Sequence, residues 1–90
     1  MTAEKGSVER LIKTARGQLD GILKRIEENR YCIDISNQLM ATQAILRKAN
    51  KEIIESHLNC CVRSAFQHGD AQEQADKIQE IMTVLDKIAK

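Results

Sequence analysis

Residues 55–66 read ESHLNCCVRSAF and hold one histidine, His57, with two of the three cysteines, Cys60 and Cys61. The third cysteine, Cys32, stands 25 residues before His57, in RYCIDIS. On an α-helix, residues four apart lie about 40° apart around the axis, so His57 and Cys61 project from one face and can ligate one ion. Cys60 lies on the other flank of His57, about 100° from Cys61. Either thiol can pair with the imidazole, but both cannot comfortably serve one ion. Two thiolates and one imidazole are soft donors that suit Cu(I), which accepts three ligands, better than Mg²⁺ or Ca²⁺. Zn²⁺ would call for a fourth ligand. The same residues have ordinary structural uses, the cysteines as small apolar side chains and the histidine as a polar group near a helix end. Spacing alone leaves both open.

The elements that must position these groups are helical. Val8, Leu11, Ile12, Ala15, Leu19, Ile22, Leu23 and Ile26 recur in steps that mark an amphipathic helix with one apolar stripe. The pattern fails at EENRY, where Asn29 can end the helix. A second pattern runs through Ile35, Leu39, Leu46, Ile53, Ile54, Leu58, Val62, Ala65 and Phe66, with no glycine or proline between Gly21 and Gly69. QHGD then reads as a turn with Gly69 left-handed, and Ile78, Ile81, Met82, Leu85 and Ile88 mark a third helix. The expectation is an all-α chain, a single domain over 1–90, with helices over about 5–29, 33–66 and 71–89.

Ninety residues, 42% apolar but with only Tyr31 and Phe66 aromatic, leave a small core that oligomerisation would complete. A central helix of roughly 30 residues extends about 45 Å, farther than its neighbours can cover. An antiparallel dimer through the long helices solves this, and two stacked dimers, a tetramer, bury more. At 1.5 Å per residue, Cys32 and His57 of one chain are separated by roughly 37 Å and cannot share a site. In the antiparallel dimer Cys32 would instead meet His57 and Cys61 of the partner subunit, twice by symmetry.

The net charge is +1, short of the balance of an obvious nucleic-acid binder, although 1–66 carries +3 and 67–90 carries −2. No apolar run approaches a membrane span, and MTAEKGSVER lacks the apolar stretch of a secretory signal. A cytoplasmic chain is expected, whose cysteines are thiols or ligands rather than a disulfide framework. No acid–base constellation or cofactor cradle suggests an enzyme.

KTARGQLDGILKRIEENRYCIDISNQLMATQAILRKANKEIIESHLNCCV resembles the copper-sensing operon repressors, the CsoR-like branch of the CsoR/RcnR family of bacterial transcriptional repressors. The similarity covers about 10 to 66 and is most specific in RGQLDGI, YCID, QLMATQAILRKAN and HLNCCV. It implies an all-helical dimer that assembles into a tetramer, lacks a helix-turn-helix, and represses transcription until an inducer binds. It further implies that Cys32, His57 and Cys61 are Cu(I) ligands shared across the dimer interface, with Tyr31 supporting them. The branch also carries a supporting glutamate on the third helix. Counting without gaps puts Lys77 there, whereas matching the apolar phase of Ile78, Ile81 and Met82 puts Glu80 there, and the phase is preferred because buried faces constrain register more than loops do. Related nickel and cobalt sensors use a histidine near the N-terminus, and formaldehyde sensors a proline at residue 2; Thr2 and Ala3 fit neither. Persulfide sensors keep the counterparts of Cys32 and Cys61 but lack the histidine.

Arg10, Lys13 and Arg16 fall at steps of three on the first helix, and Arg47, Lys48 and Lys51 cluster on the second. Such charges often only solvate a helix. The resemblance makes both groups candidate contacts to operator DNA, with Lys48 matching a basic position of the family. An arginine expected six residues before Gly17 is Leu11, so that Arg10 or Lys13 must take its part. The reading is a repressor that holds DNA in the metal-free form and releases it on binding Cu(I). The alternatives are a persulfide-responsive repressor using Cys32 and Cys61, and a helical copper buffer or chaperone that needs no DNA.

Overall fold

The computed structural model describes residues 5–89, so Thr2 and Ala3 lie outside the described residues. Helix α1 spans Lys5–Glu27 and α2 spans Cys32–His57. A π-helical turn follows over Leu58–Val62, then α3 over Arg63–His68 and α4 over Ala71–Ala89. His57, Val62 and Arg63 all keep right-handed helical backbone, so winding continues unbroken from α2 through the π turn into α3. The expected central helix is thus present, a few residues longer and with one wide turn. The chain divides into two compact units, the first ending at Glu55 and the second beginning at Ser56.

In the first unit, α1 ends where the sequence indicated. Asn29 takes a left-handed φ of 54°, and the N–H groups of Asn29 and Arg30 return to the carbonyls of Ile26 and Arg25. These two bonds close the helix end and turn the chain back on itself. Side-chain contacts then set the register of the antiparallel pair. Ser7 Oγ donates to Glu52 Oε2 at 2.9 Å, and Thr42 Oγ1 donates to Gln18 Oε1 at 2.7 Å. Facing residues therefore have numbers that add to about 60.

That register explains which side chains are covered. On α1 the inner positions are Val8, Leu11, Ala15, Gln18, Ile22 and Arg25; on α2 they are Ile35, Gln38, Thr42, Ile45, Ala49 and Glu52. Both sets step alternately by three and four, the seam of an antiparallel coiled coil. The seam is mixed rather than apolar, and Thr42 is its most enclosed large side chain at 2% exposure. Its hydroxyl has one proton to give, and Gln18 Oε1 is nearer than the carbonyl of Gln38 at 3.1 Å.

The single apolar stripe expected on α1 is two. Ile12, Leu19 and Ile26, with Leu39, Leu46 and Ile53 on α2, sit one position past the seam and stay 37–53% exposed. Antiparallel helices are related by a two-fold axis across them, so equivalent flanks meet along the same edge of the hairpin. The six side chains therefore form one apolar edge.

In the second unit, α3 and α4 pack together and bury Val62 and Ala65. The expectation for Gly69 is corrected. Its φ of −86° and ψ of 164° are extended, not left-handed. It is required for room, because a Cβ there would come within 2.6 Å of the Ala65 carbonyl oxygen and 2.5 Å of Glu73 Oε2. The extended residue leads straight into Asp70, whose Oδ1 accepts the Glu73 N–H at 2.9 Å and starts α4.

Thr42→Ala leaves the Gln18 oxygen in the seam without its donor. Chemical unfolding should show a loss of about 1–3 kcal/mol, and Thr42→Val, which keeps the shape, should lose the hydrogen bond but less packing.

Candidate functional site

The π turn changes how the cysteine doublet stands relative to His57. The Arg63 N–H reaches the carbonyl of Leu58, five residues back, so this turn holds more than four residues. Four steps from His57 then come closer to one full revolution, which aligns Cys61 with the imidazole. Three steps fall further short, which carries Cys60 away. In a regular α-helix the two thiols flank His57 almost evenly; the wide turn separates them. Their exposure follows, with Cys61 half-buried and Cys60 exposed.

On α4, in the same unit, Glu80 faces the histidine. Its Oε1 lies 3.3 Å from His57 Nε2, and its Oε2 lies 3.1 Å from Lys77 Nζ. The two residues between which the sequence had to choose are thus successive members of one chain of contacts, and Glu80 is the member that meets His57. The imidazole nitrogen is buried and within reach of the carboxylate, yet off the line a hydrogen bond needs. The contact is therefore attraction without a completed bond. Glu80 is held below the ordinary carboxylate value, first by the hydrogen bond from Lys77, against some desolvation, and then by the charge of Lys77 and by His57.

Cys32 is the first residue of α2 and His57 the last. Cys32 is exposed. Tyr31 precedes it and is 70% exposed, while its carbonyl accepts the N–H groups of Asp34 and Ile35 and opens the helix. Among the described residues, one chain by itself gathers no group of three metal-capable side chains.

The basic residues belong to the first unit, and its register brings the two groups to one height. Residue 10 stands across from about 50, and 13 from about 47. All six are exposed. Helical phase turns Arg10, Lys48 and Lys51 toward the edge opposite the apolar one, and Lys13 and Arg47 outward from the backs of their helices. Arg16 falls on the apolar side. Lys13 pairs with Glu9 at 3.4 Å and Lys51 with Glu55 at 3.9 Å, exposed pairs that hold their lysines weakly. Leu11, where the resemblance leads one to expect an arginine, is a half-buried seam residue, and its neighbours Arg10 and Lys13 are exposed.

Residues 4–87 match the metal-sensitive transcriptional repressor family. The chain belongs to that family. Its members are transcriptional repressors, not enzymes. A copper-sensing transcriptional repressor, CsoR, of Bacillus subtilis is 37% identical over 97% of this chain and 83% of its own length. The CsoR of Mycobacterium ulcerans is 37% identical over 87% of this chain, which spans 67% of that relative. In structure, the family likeness extends to the copper-sensing repressor CsoR of Geobacillus thermodenitrificans, crystallised with Cu(I). It is 37% identical, with a TM-score of 0.88 over 97% of this chain and 88% of the other. Among the described residues, no helix is long and apolar enough to cross a membrane.

Sequence reasoning missed the link from Lys77 through Glu80 to His57, although the three-residue spacing of Lys77 and Glu80 is itself a helical ion-pair signal. The π turn had no signal in residue type. Because the folded-state value of Glu80 is lowered, its contribution to stability is present above the ordinary carboxylate range and is lost as pH falls through the folded value. The stability difference between the wild type and Glu80→Gln should therefore be constant near neutrality and shrink on acidification below about pH 4, as read by unfolding curves across pH.

Proposed function

We propose that the chain is a Cu(I)-responsive transcriptional repressor that holds operator DNA when metal-free and releases it when Cu(I) binds. The observation that carries this reading is the state of His57. Its Nε2 is buried, turned to Glu80 and without a completed hydrogen bond, and Cys61, four residues on across a π turn, shares its helical face. With Nε2 facing a carboxylate, Nδ1 is the nitrogen left for a ligand. Cys61, His57 and Cys32 make a soft donor set that fits a monovalent copper ion. When bound, Cu(I) supplies a soft acid that ties two thiolates and an imidazole together.

The sequence distance between Cys32 and His57 on one helix, roughly 37 Å at helical rise, makes sharing between protomers the way to assemble the set. The exposed apolar edge of Ile12, Leu19, Ile26, Leu39, Leu46 and Ile53 supports self-association, first as a dimer and then as a tetramer. The opposite edge, with Arg10, Lys48 and Lys51 at one height, is left for phosphates. Lys13 and Arg47 add charge around it from the backs of their helices, Arg16 stands apart on the apolar side, and symmetry would repeat each small patch along the DNA. Linkage sets the sign: copper releases DNA only if the DNA-bound form takes copper correspondingly less well. A cytoplasmic place follows from that role.

Mixing Cys32→Ala protomers with His57→Ala protomers should restore one intact site in a heterodimer. A competition assay should recover tight Cu(I) binding at about a quarter of the wild-type stoichiometry once exchange is complete, because about half of the dimers are mixed and each mixed dimer keeps one of its two sites. No recovery would remove the shared-site reading. Titrating persulfide beside Cu(I) into the protein–operator complex decides between the two inducers.

The wide turn also ranks the doublet. Cys60→Ser should keep Cu(I) binding and release of operator DNA in fluorescence anisotropy, and Cys61→Ser should lose both. The reverse order would show that Cys60 is the ligand.

A further inference from the structure

We propose that Lys77 is a positioning residue of this sensor: it anchors Glu80 Oε2 so that Oε1 stays against His57 Nε2, and so decides which imidazole nitrogen is free to take a ligand. The inference deepens the copper reading and rests on it for its consequence, but its first readout needs no metal.

The geometry divides the carboxylate between two partners, Oε2 at 3.1 Å from Lys77 Nζ and Oε1 at 3.3 Å from His57 Nε2. The Glu80 side chain is 47% exposed, so without an anchor it has solvent-facing rotamers to occupy. Lys77, one helical turn earlier, removes that freedom. Its own side chain is the more covered of the pair, at 32% exposure. An exposed pair three residues apart adds little to folding stability. Its effect here is on direction.

Direction matters because the contact with His57 is incomplete. A neutral imidazole carries one proton, and an ionised carboxylate only accepts. A carboxylate held at Nε2 favours the tautomer with the proton there, leaving the Nδ1 lone pair bare. Since the Nε2 contact is off-line, the imidazole alone does not hold Glu80 in place.

The test uses the full-length, metal-free protein with 15N-labelled histidine, His68 being assigned by its own substitution. Long-range 1H–15N spectra at about pH 8.5, well above the ordinary histidine value, report the tautomer of His57. The wild type should show the Nε2–H form in excess. Lys77→Gln should raise the Nδ1–H population about threefold, and Lys77→Arg should restore the wild-type pattern. In a Glu80→Gln background, Lys77→Gln should change nothing further, since it acts only through that carboxylate. Cu(I) affinity should fall by about 3- to 10-fold in Lys77→Gln, less than the 10- to 100-fold typical of losing the group that directly supports a ligand. An unchanged tautomer in Lys77→Gln, or an effect that persists without Glu80, overturns the proposal. A tautomer shift with no change in Cu(I) affinity upholds Lys77 as the positioning residue and instead removes His57 from the ligand set.

Discussion

The antiparallel register of α1 against α2 is the constraint on which the first unit depends, and a polar contact pins it. Apolar seams built from Ala, Leu and Ile tolerate slippage, because one small aliphatic side chain replaces another at modest cost. A hydroxyl donating to an amide oxygen in a covered seam does not tolerate it, because a slip would leave both unpaired. Thr42 and Gln18 form that contact at 2.7 Å, with Ser7 and Glu52 repeating the alignment near the open end. The polar device contributes specificity more than stability, as a single polar residue does in a coiled-coil seam.

Once the register is set, the rest of the hairpin surface is determined. With Gln18, Gln38 and Glu52 using seam positions, six large aliphatic side chains are left along one edge. Of the six basic residues, all but Arg16 fall to the opposite edge and the outer faces. One small unit thus separates an apolar side suited to a second protein surface from a charged side suited to phosphate.

The second unit works on a finer scale. A wide turn shifts two adjacent thiols by a fraction of a revolution and makes them inequivalent. A carboxylate shared by a lysine and a histidine links α4 to the end of α2 through contacts of 3.1 and 3.3 Å. Neither feature contributes much to folding. In the copper reading proposed above, both act by orienting donor atoms, where tenths of an ångström and tens of degrees decide whether a lone pair is available.

Much of this was legible in the residues. Helix positions were readable because apolar periodicity and the absence of glycine and proline act locally, and Asn29 ended α1 because its short polar side chain tolerates the left-handed region. The family was legible for a related reason: RGQLDGI, YCID and HLNCCV join local helix structure to donor atoms at fixed spacing. The tertiary structure decided what depends on groups far apart in sequence. It divided one apparent stripe of α1 into a seam and an edge, because a partner helix covers only part of a face. It made Gly69 a matter of space rather than of φ, because the obstructing atoms belong to Ala65 and Glu73. It set Glu80 against His57 with Lys77 behind it, because the packing of α4, not the length of the preceding loop, fixes which residue of that helix arrives there.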